Sequence, residues 1–232
     1  MQAIILAAGM GTRLRAVSPS KPLTMVAGRP LLHRILDNLA AAGITRPLVI
    51  TGYRGDEVAA AAAAWRGGTA ETLHNPQWDQ PNGVSVLAAA PRLEAQSLLI
   101  MADHLASPGV YAAVASAGRD DAGLVLGIDR RLGHPWADEA DVTRVATRAG
   151  RIVAIGKQIA TYDAHDCGVF LITPELMDEL AALQAPGLSD GVRRLAAKGR
   201  AATIDISAHD WIDIDDPRAL AIAEDWVLGL GA

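Results

Sequence analysis

Cysteine is nearly absent: the 232 residues contain one, Cys167. That excludes an internal disulfide and a cysteine-rich metal site, and it fits a reducing cytoplasm. Aromatic residues make up only 4% of the chain, so the core has to be built from Ala, Leu, Val and Ile. Such a composition suits helices packed on a parallel sheet, whose buried strands read as short apolar runs. Basic charge is not in excess. The net charge is −5 and no basic stripe is visible, which argues against a nucleic-acid partner. One local cluster of Lys and Arg would still hold a small phosphorylated ligand. No apolar run approaches bilayer-spanning length, so no membrane insertion is expected. The apolar start Ala3–Ala8 reads as a first strand, not a signal-peptide core, because no basic residue precedes it and arginines follow.

What is present is hydrophobic (50% of residues) and ordered in a β-α-β alternation. Strands are expected at Gln2–Ala7, Pro47–Thr51, Thr69–His74 and Ser97–Met101. Between them, helices are expected at Pro30–Ala42, stopped by Gly43, at Glu57–Trp65, capped by Asp56, and at Val84–Ala90, entered through the "PNG" turn with Asn82 as a possible cap. The later part should hold helices at Pro108–Ala117, Pro174–Leu183, Gly191–Lys198 and Pro217–Leu228. Its strands should lie near Ala122–Ile128, in a pair around Val142–Ile155, and at Cys167–Thr173 and Ala202–Ile206. The expected fold class is α/β: a Rossmann-like, mostly parallel mixed sheet with helices on both faces. No repeat, low-complexity tract or linker divides the chain.

In an open parallel sheet, ligands bind at the C-terminal ends of the strands. The run "LAAGMGTRL…SPSKPL" follows the first strand and is in that place. Gly9 and Gly11 let backbone N–H groups approach phosphate oxygens, and Arg13 and Lys21 add cations. The run lacks the Gly-Lys-Ser/Thr ending of a Walker A loop and the third glycine of a dinucleotide fingerprint. A second anchor is Asp103 in "LLIMADHL", a carboxylate at a strand tip that could hold a hard cation. Near the other end, Asp213 and Asp215 alternate in "HDWIDIDDPRAL" and so share one face of an extended segment. Asp216 is expected to start the last helix. In "HNPQWDQPNGVSVLAAA", the Asn82 amide and the backbone around Gly83 and Ser85 could read a pyrimidine edge. His104, His134 and His165 lack the spacing of a zinc site.

The run L-A-A-G-x-G-T-R-L, followed by K-P-L and "AGRPLL", resembles the signature of the sugar-nucleotide pyrophosphorylases, a nucleotidyltransferase family. "ADEADVTRV", "GRIVAIGK", "MADH" and "YDAHDCGVF" look most like its CTP:inositol-1-phosphate cytidylyltransferase branch. Cys167 stands where Thr is usual there and reads as a small buried residue. The resemblance spans essentially the whole chain and implies the nucleotide-diphospho-sugar transferase fold as a single domain, residues 1–232. Residues 1–104 would form its nucleotide-binding half, and 105–232 its acceptor-binding half with the C-terminal metal aspartate.

The resemblance also implies roles. Leu6, Ala7, Ala8, Gly9, Gly11, Thr12, Asn82, Gly83 and Ser85 would hold the nucleotide. Arg13, Lys21 and Lys157 would be catalytic, with Lys157 gripping the acceptor phosphate. Asp103 with Asp213 or Asp215 would bind Mg²⁺. Asp163 and Asp166 would either meet acceptor hydroxyls or fix the turn around Lys157. The expected reaction moves CMP from CTP to inositol 1-phosphate in the cytoplasm and releases pyrophosphate. Phosphocholine or a hexose 1-phosphate are alternative acceptors. A molybdopterin-type GTP enzyme is disfavoured by "YDAHDCGVF", and a non-catalytic nucleotide sensor by the joint presence of both metal carboxylates and Lys157. A separate membrane phosphotransferase is the expected user of the product. Composition does not indicate an oligomeric state.

Overall fold

Every residue of β1 (Gln2–Ala7) is buried, as a strand covered on both faces requires. Side-chain alternation divides it between two cores. Ala3, Ile5 and Ala7 join one and Ile4 and Leu6 the other. The computed structural model describes residues 1–14 and 17–230, with Thr12 described by its backbone alone.

α1 (Leu31–Ala41) buries Leu31, Leu32, Ile35, Leu36 and Leu39 on one face, and Gly43 follows at φ +77°, a left-handed helix stop. β2 (Arg46–Thr51), α2 (Gly55–Ala63), β3 (Glu71–His74), α3 (Asn82–Ala88) and β4 (Ser97–Met101) continue the alternation. Then come β5 (His104–Ala106), α4 (Pro108–Ala115), β6 (Leu124–Asp129), β7 (Arg144–Arg148), β8 (Arg151–Gly156) and β9 (Ala164–Ile172). α5 (Pro174–Ala181), α6 (Leu188–Ala197), β10 (Ala201–Asp205), β11 (Trp211–Asp213) and α7 (Pro217–Leu228) complete the described order.

A nine-stranded sheet runs β3-β2-β1-β4-β9-β6-β10-β8-β7, with β9 also paired to β7. β1 to β4 are mutually parallel. β9 runs against β4 and β6, β10 runs with β6, and β8 runs against β10 and β7. Among these strands β8 and β9 alone oppose the common direction, so the sheet is mixed and mostly parallel, as expected. α1, α2, α4 and α7 bury their apolar stripes in one core, and α3, α5 and α6 in the other.

Two expected caps are corrected. α2 starts from Arg54 in the left-handed region without a side-chain cap; Asp56 lies inside its first turn, where a carboxylate favours the helix by charge alone. α3 begins at Asn82 itself, after Pro81. The Asn82 side-chain oxygen, Oδ1, instead accepts from Leu188 N at 2.8 Å, satisfying an N–H at the start of α6. Asp216 caps α7 as expected, accepting from Ala219 N at 2.7 Å.

Candidate active site

The short ladder between β5 and β11 was not legible in the sequence, and it builds the centre of the site. Its antiparallel register sets His104 opposite Asp213, and Ile214 N donates to Asp103 O at 2.9 Å. Two carboxylates from distant parts of the chain, Asp103 and Asp213, are thereby held side by side. Lys21 reaches them from the glycine loop. Its Nζ donates to Asp103 Oδ2 at 2.8 Å, pairs with Asp215, and lies 3.8 Å from Asp213 Oδ1. Gly11 makes that approach possible: it sits at φ +57°, and a Cβ there would lie 2.8 Å from Lys21 Cβ. A Cβ at Gly9 would meet nothing within 4 Å, so the packing constraint falls on Gly11.

Burial opposes ionisation of Asp103, but His104 and Lys21 hold its carboxyl well below the ordinary range. Asp213 is shifted the other way, by burial and then by the Asp103 charge. His104 Nδ1 lies 2.7 Å from Asp103 Oδ1. Although burial disfavours its charge, Asp213 and Asp103 raise it to about 9. The His104 ring stacks on Trp211, centroids 5.8 Å apart, and Trp211 Nε1 donates to buried Asp129 at 2.8 Å. Gly168, at φ +75°, leaves room for that ring, since a Cβ there would lie 2.7 Å from His104 Cδ2. Next to it, burial pushes Asp166 up to about 6 while Gly168 N donates to it. The Cys167 thiol is also buried and pushed up, matching its reading as a packing residue.

Two adjoining cavities meet here. The larger, roughly 500 Å³, is bordered by Arg13, Lys21, Asp103, Asp141, Lys157, Asp166, Asp213 and Asp215. The smaller, roughly 190 Å³, is lined by Leu6, Ala7, Ala8, Gly9, Gly11, Trp78, Gln80, Asn82 and Ser85. Gly11, Lys21, Asn82, Met101 and Asp103 border both. Ser85 accepts from Asn75 Nδ2 at 2.9 Å. Gly83 lines neither cavity: a Cβ there would lie 2.3 Å from Pro186 O, so this glycine serves a close packing contact. The Thr12 side chain lies outside the described residues. Asp163 also lies off the cavity, its carboxylate taken by Thr147 N at 2.7 Å, Thr147 Oγ1 at 2.6 Å and Arg130. The carboxylate thus ties β7 to the residue just after β6, and neither partner belongs to the turn at Lys157. In the sequence His104 stands out only as a histidine without zinc-site spacing, and Asp129, Trp211 and Asp141 not as site residues at all, although "ADEAD" carries Asp141.

A family model for the MobA-like NTP transferase domain matches residues 3–202. The chain belongs to that family. This NTP transferase domain is 36% identical over 235 residues to a Rubrobacter xylanophilus protein described as a bifunctional IPC transferase and DIPP synthase, covering 99% of this chain and 52% of that protein. A protein of the same description from Aquifex aeolicus is 27% identical over 230 residues, covering 97% and 51%. The chain thus spans about half the length of these curated relatives. The solved inositol-1-phosphate CTP transferase of T. maritima superposes with a TM-score of 0.84 at 23% identity, covering 100% of this chain and 98% of that one, so the fold is shared. No helix among the described residues is long and apolar enough to cross a membrane.

The donor set fits a divalent cation. Asp103, His104 and Asp213 each offer a ligand atom, all within 4.8 Å of one another, and so do Asp141, Asp213 and Asp215. Asp213 Oδ1 is buried without a hydrogen-bond partner among the described residues, leaving a lone pair free for a cation. Carboxylate oxygens dominate the set, as hard cations prefer.

Proposed function

We propose that this NTP transferase domain transfers CMP from CTP to inositol 1-phosphate, giving CDP-inositol and pyrophosphate. The observation that carries the reading is the convergence of Arg13, Lys21 and Lys157 with Asp103, Asp213 and Asp215 around one cavity. The names of the relatives and of the T. maritima structure support this choice of substrates.

A phosphate oxygen of the acceptor attacks the α-phosphorus of the NTP in line. The bond from that phosphorus to the bridging oxygen breaks, and pyrophosphate leaves with the electron pair. The attacking phosphate is already ionised at neutral pH, so no strong base is required. Alignment and charge neutralisation remain to be supplied. Lys157 holds the incoming phosphate against its repulsion from the triphosphate. Arg13 and Lys21 stabilise the charge growing on the leaving pyrophosphate. The smaller cavity takes the base, with the Asn82 amide and Gln80 at its edge. Mg²⁺ would be held by Asp103 with Asp213 or Asp215 and, when bound, would supply positive charge against the phosphates. Such a cation is needed electrostatically: Asp103, Asp141, Asp213 and Asp215 already occupy Arg13, Lys21, Lys157 and the charged His104 before two anionic substrates arrive.

One feature favours a second acceptor. Trp136, packed on Trp226 with centroids 5.3 Å apart, borders the cavity beside Asp138, and an aromatic face with a carboxylate suits a quaternary ammonium such as phosphocholine. Pyrophosphate release with Mg²⁺, across the four common NTPs and inositol 1-phosphate, glucose 1-phosphate and phosphocholine, decides the matter. Release confined to CTP with inositol 1-phosphate is the expected result. Release with another pair moves the substrate assignment, and release with none rejects it.

A further inference from the structure

We propose that Asp141 is a positioning residue that ties the nucleotide half of the site to the acceptor half. The inference rests on the transfer reaction proposed above. Asp141 Oδ2 accepts from Arg13 Nη2 at 2.6 Å, and Oδ1 accepts from Lys157 Nζ at 2.6 Å. The two cations arrive from separate elements, one in the loop after β1, the other just beyond β8. Each is about half exposed, at 49% and 54%, whereas Asp141 is at 26%.

The segment bearing Asp141 is pinned. Asp141 N donates to Asp138 O at 3.0 Å. Glu139 accepts from Gly133 N at 3.1 Å and from the Tyr162 hydroxyl at 3.1 Å. Arg144 donates to Glu139 O at 2.9 Å. Arg13 Nη2 also pairs with Asp215, but Asp141 is the carboxylate that Arg13 and Lys157 share, and it sets the point where these two exposed cations meet. Arg has five N–H donors and Lys three, so each can keep Asp141 and still offer donors to a phosphate. Asp141 therefore orients both cations toward the place where the acceptor phosphate and the triphosphate come together. Its own negative charge simultaneously weakens phosphate binding there.

These two effects have opposite signs, which separates this role from a structural or metal-ligating one. In Asp141→Asn, inorganic phosphate should bind the metal-free protein about fivefold more tightly, the scale of an exposed charge interaction. Turnover should fall roughly 10- to 100-fold, because misplaced groups lose alignment. Asp141→Glu keeps the charge but shifts its position; it should bind phosphate like the wild type and turn over at an intermediate rate. Phosphate affinity is read by calorimetry, turnover by pyrophosphate release, and folding by circular dichroism. Phosphate affinity that is unchanged, weaker or unmeasurable in Asp141→Asn overturns the proposal, as does unchanged turnover. The phosphate arm needs neither CTP nor inositol 1-phosphate. A wrong substrate assignment would thus appear as absent wild-type turnover with that pair and leave the phosphate comparison intact.

Discussion

Lys21→Met tests the electrostatic account of the site. The side chain of Lys21 is 12% exposed, and its partners Asp103 and Asp215 are 23% and 18% exposed. The substitution keeps most of the stem and removes the charge, leaving neighbouring carboxylates to repel one another. Removing one partner of a fully buried pair costs about 3–5 kcal/mol, and an exposed pair is worth at most about 1 kcal/mol. This half-buried cluster falls between them, at about 2 kcal/mol. For a chain of this size, that is a fall in Tm of roughly 4–8 °C. A divalent cation binding the freed carboxylates returns about 2.7 kcal/mol at a hundredfold excess over its Kd. Thermal unfolding followed by circular dichroism, in chelator and in Mg²⁺, should therefore show a larger Mg²⁺ stabilisation in Lys21→Met than in the wild type. Turnover should fall roughly 10²- to 10³-fold, as for the loss of a charge-stabilising donor. An unchanged Tm in chelator, or an equal Mg²⁺ shift in both proteins, would refute the reasoning.

Lys157→Ala should raise the KM for the acceptor and lower turnover strongly while Tm stays within about 1 kcal/mol of stability, because its pair with Asp141 is half exposed; steady-state kinetics with varied acceptor checks it, and near-normal turnover would remove Lys157 from the site. Asp129 gives a pH prediction. Burial would raise its carboxyl, but the hydrogen bonds from Arg131 and Trp211 outweigh that and leave it below its ordinary value. A depressed folded-state pKa contributes stability above the unfolded value of about 3.9 and loses it as pH falls toward the folded one. Asp129→Asn should accordingly lower Tm at pH 7, and the gap to the wild type should narrow below about pH 4. A gap that stays constant down to acid unfolding would show that the charge of Asp129 is not what matters.

Much of the fold is legible because it rests on local patterns. The apolar run of β1, the 3.6-residue spacing of α1 and the Asp216–Pro217 start of α7 are each set by a few neighbouring residues. The glycine loop after β1 is legible for the same reason: Gly11, Arg13 and Lys21 lie within eleven consecutive residues. Asn82 shows the limit. Its sequence context reads as a local cap, but its side-chain Oδ1 serves Leu188, 106 positions away. Asp163 shows the same limit from the other side, since nothing local tells whether it faces the cavity or Thr147.

The sequence by itself determined the alternating α/β order, the glycine loop after β1 and the identity of the main charged groups, because these depend on periodicity and contiguous chemistry. The tertiary structure alone decided which carboxylates share a cation. The β5–β11 ladder sets His104 opposite Asp213, and the pinned turn at Glu139 carries Asp141 between Arg13 and Lys157. Such meetings depend on strand register and loop anchoring: His104 with Asp213 and Asp141 with Arg13 join residues more than a hundred positions apart, and no short-range pattern encodes them.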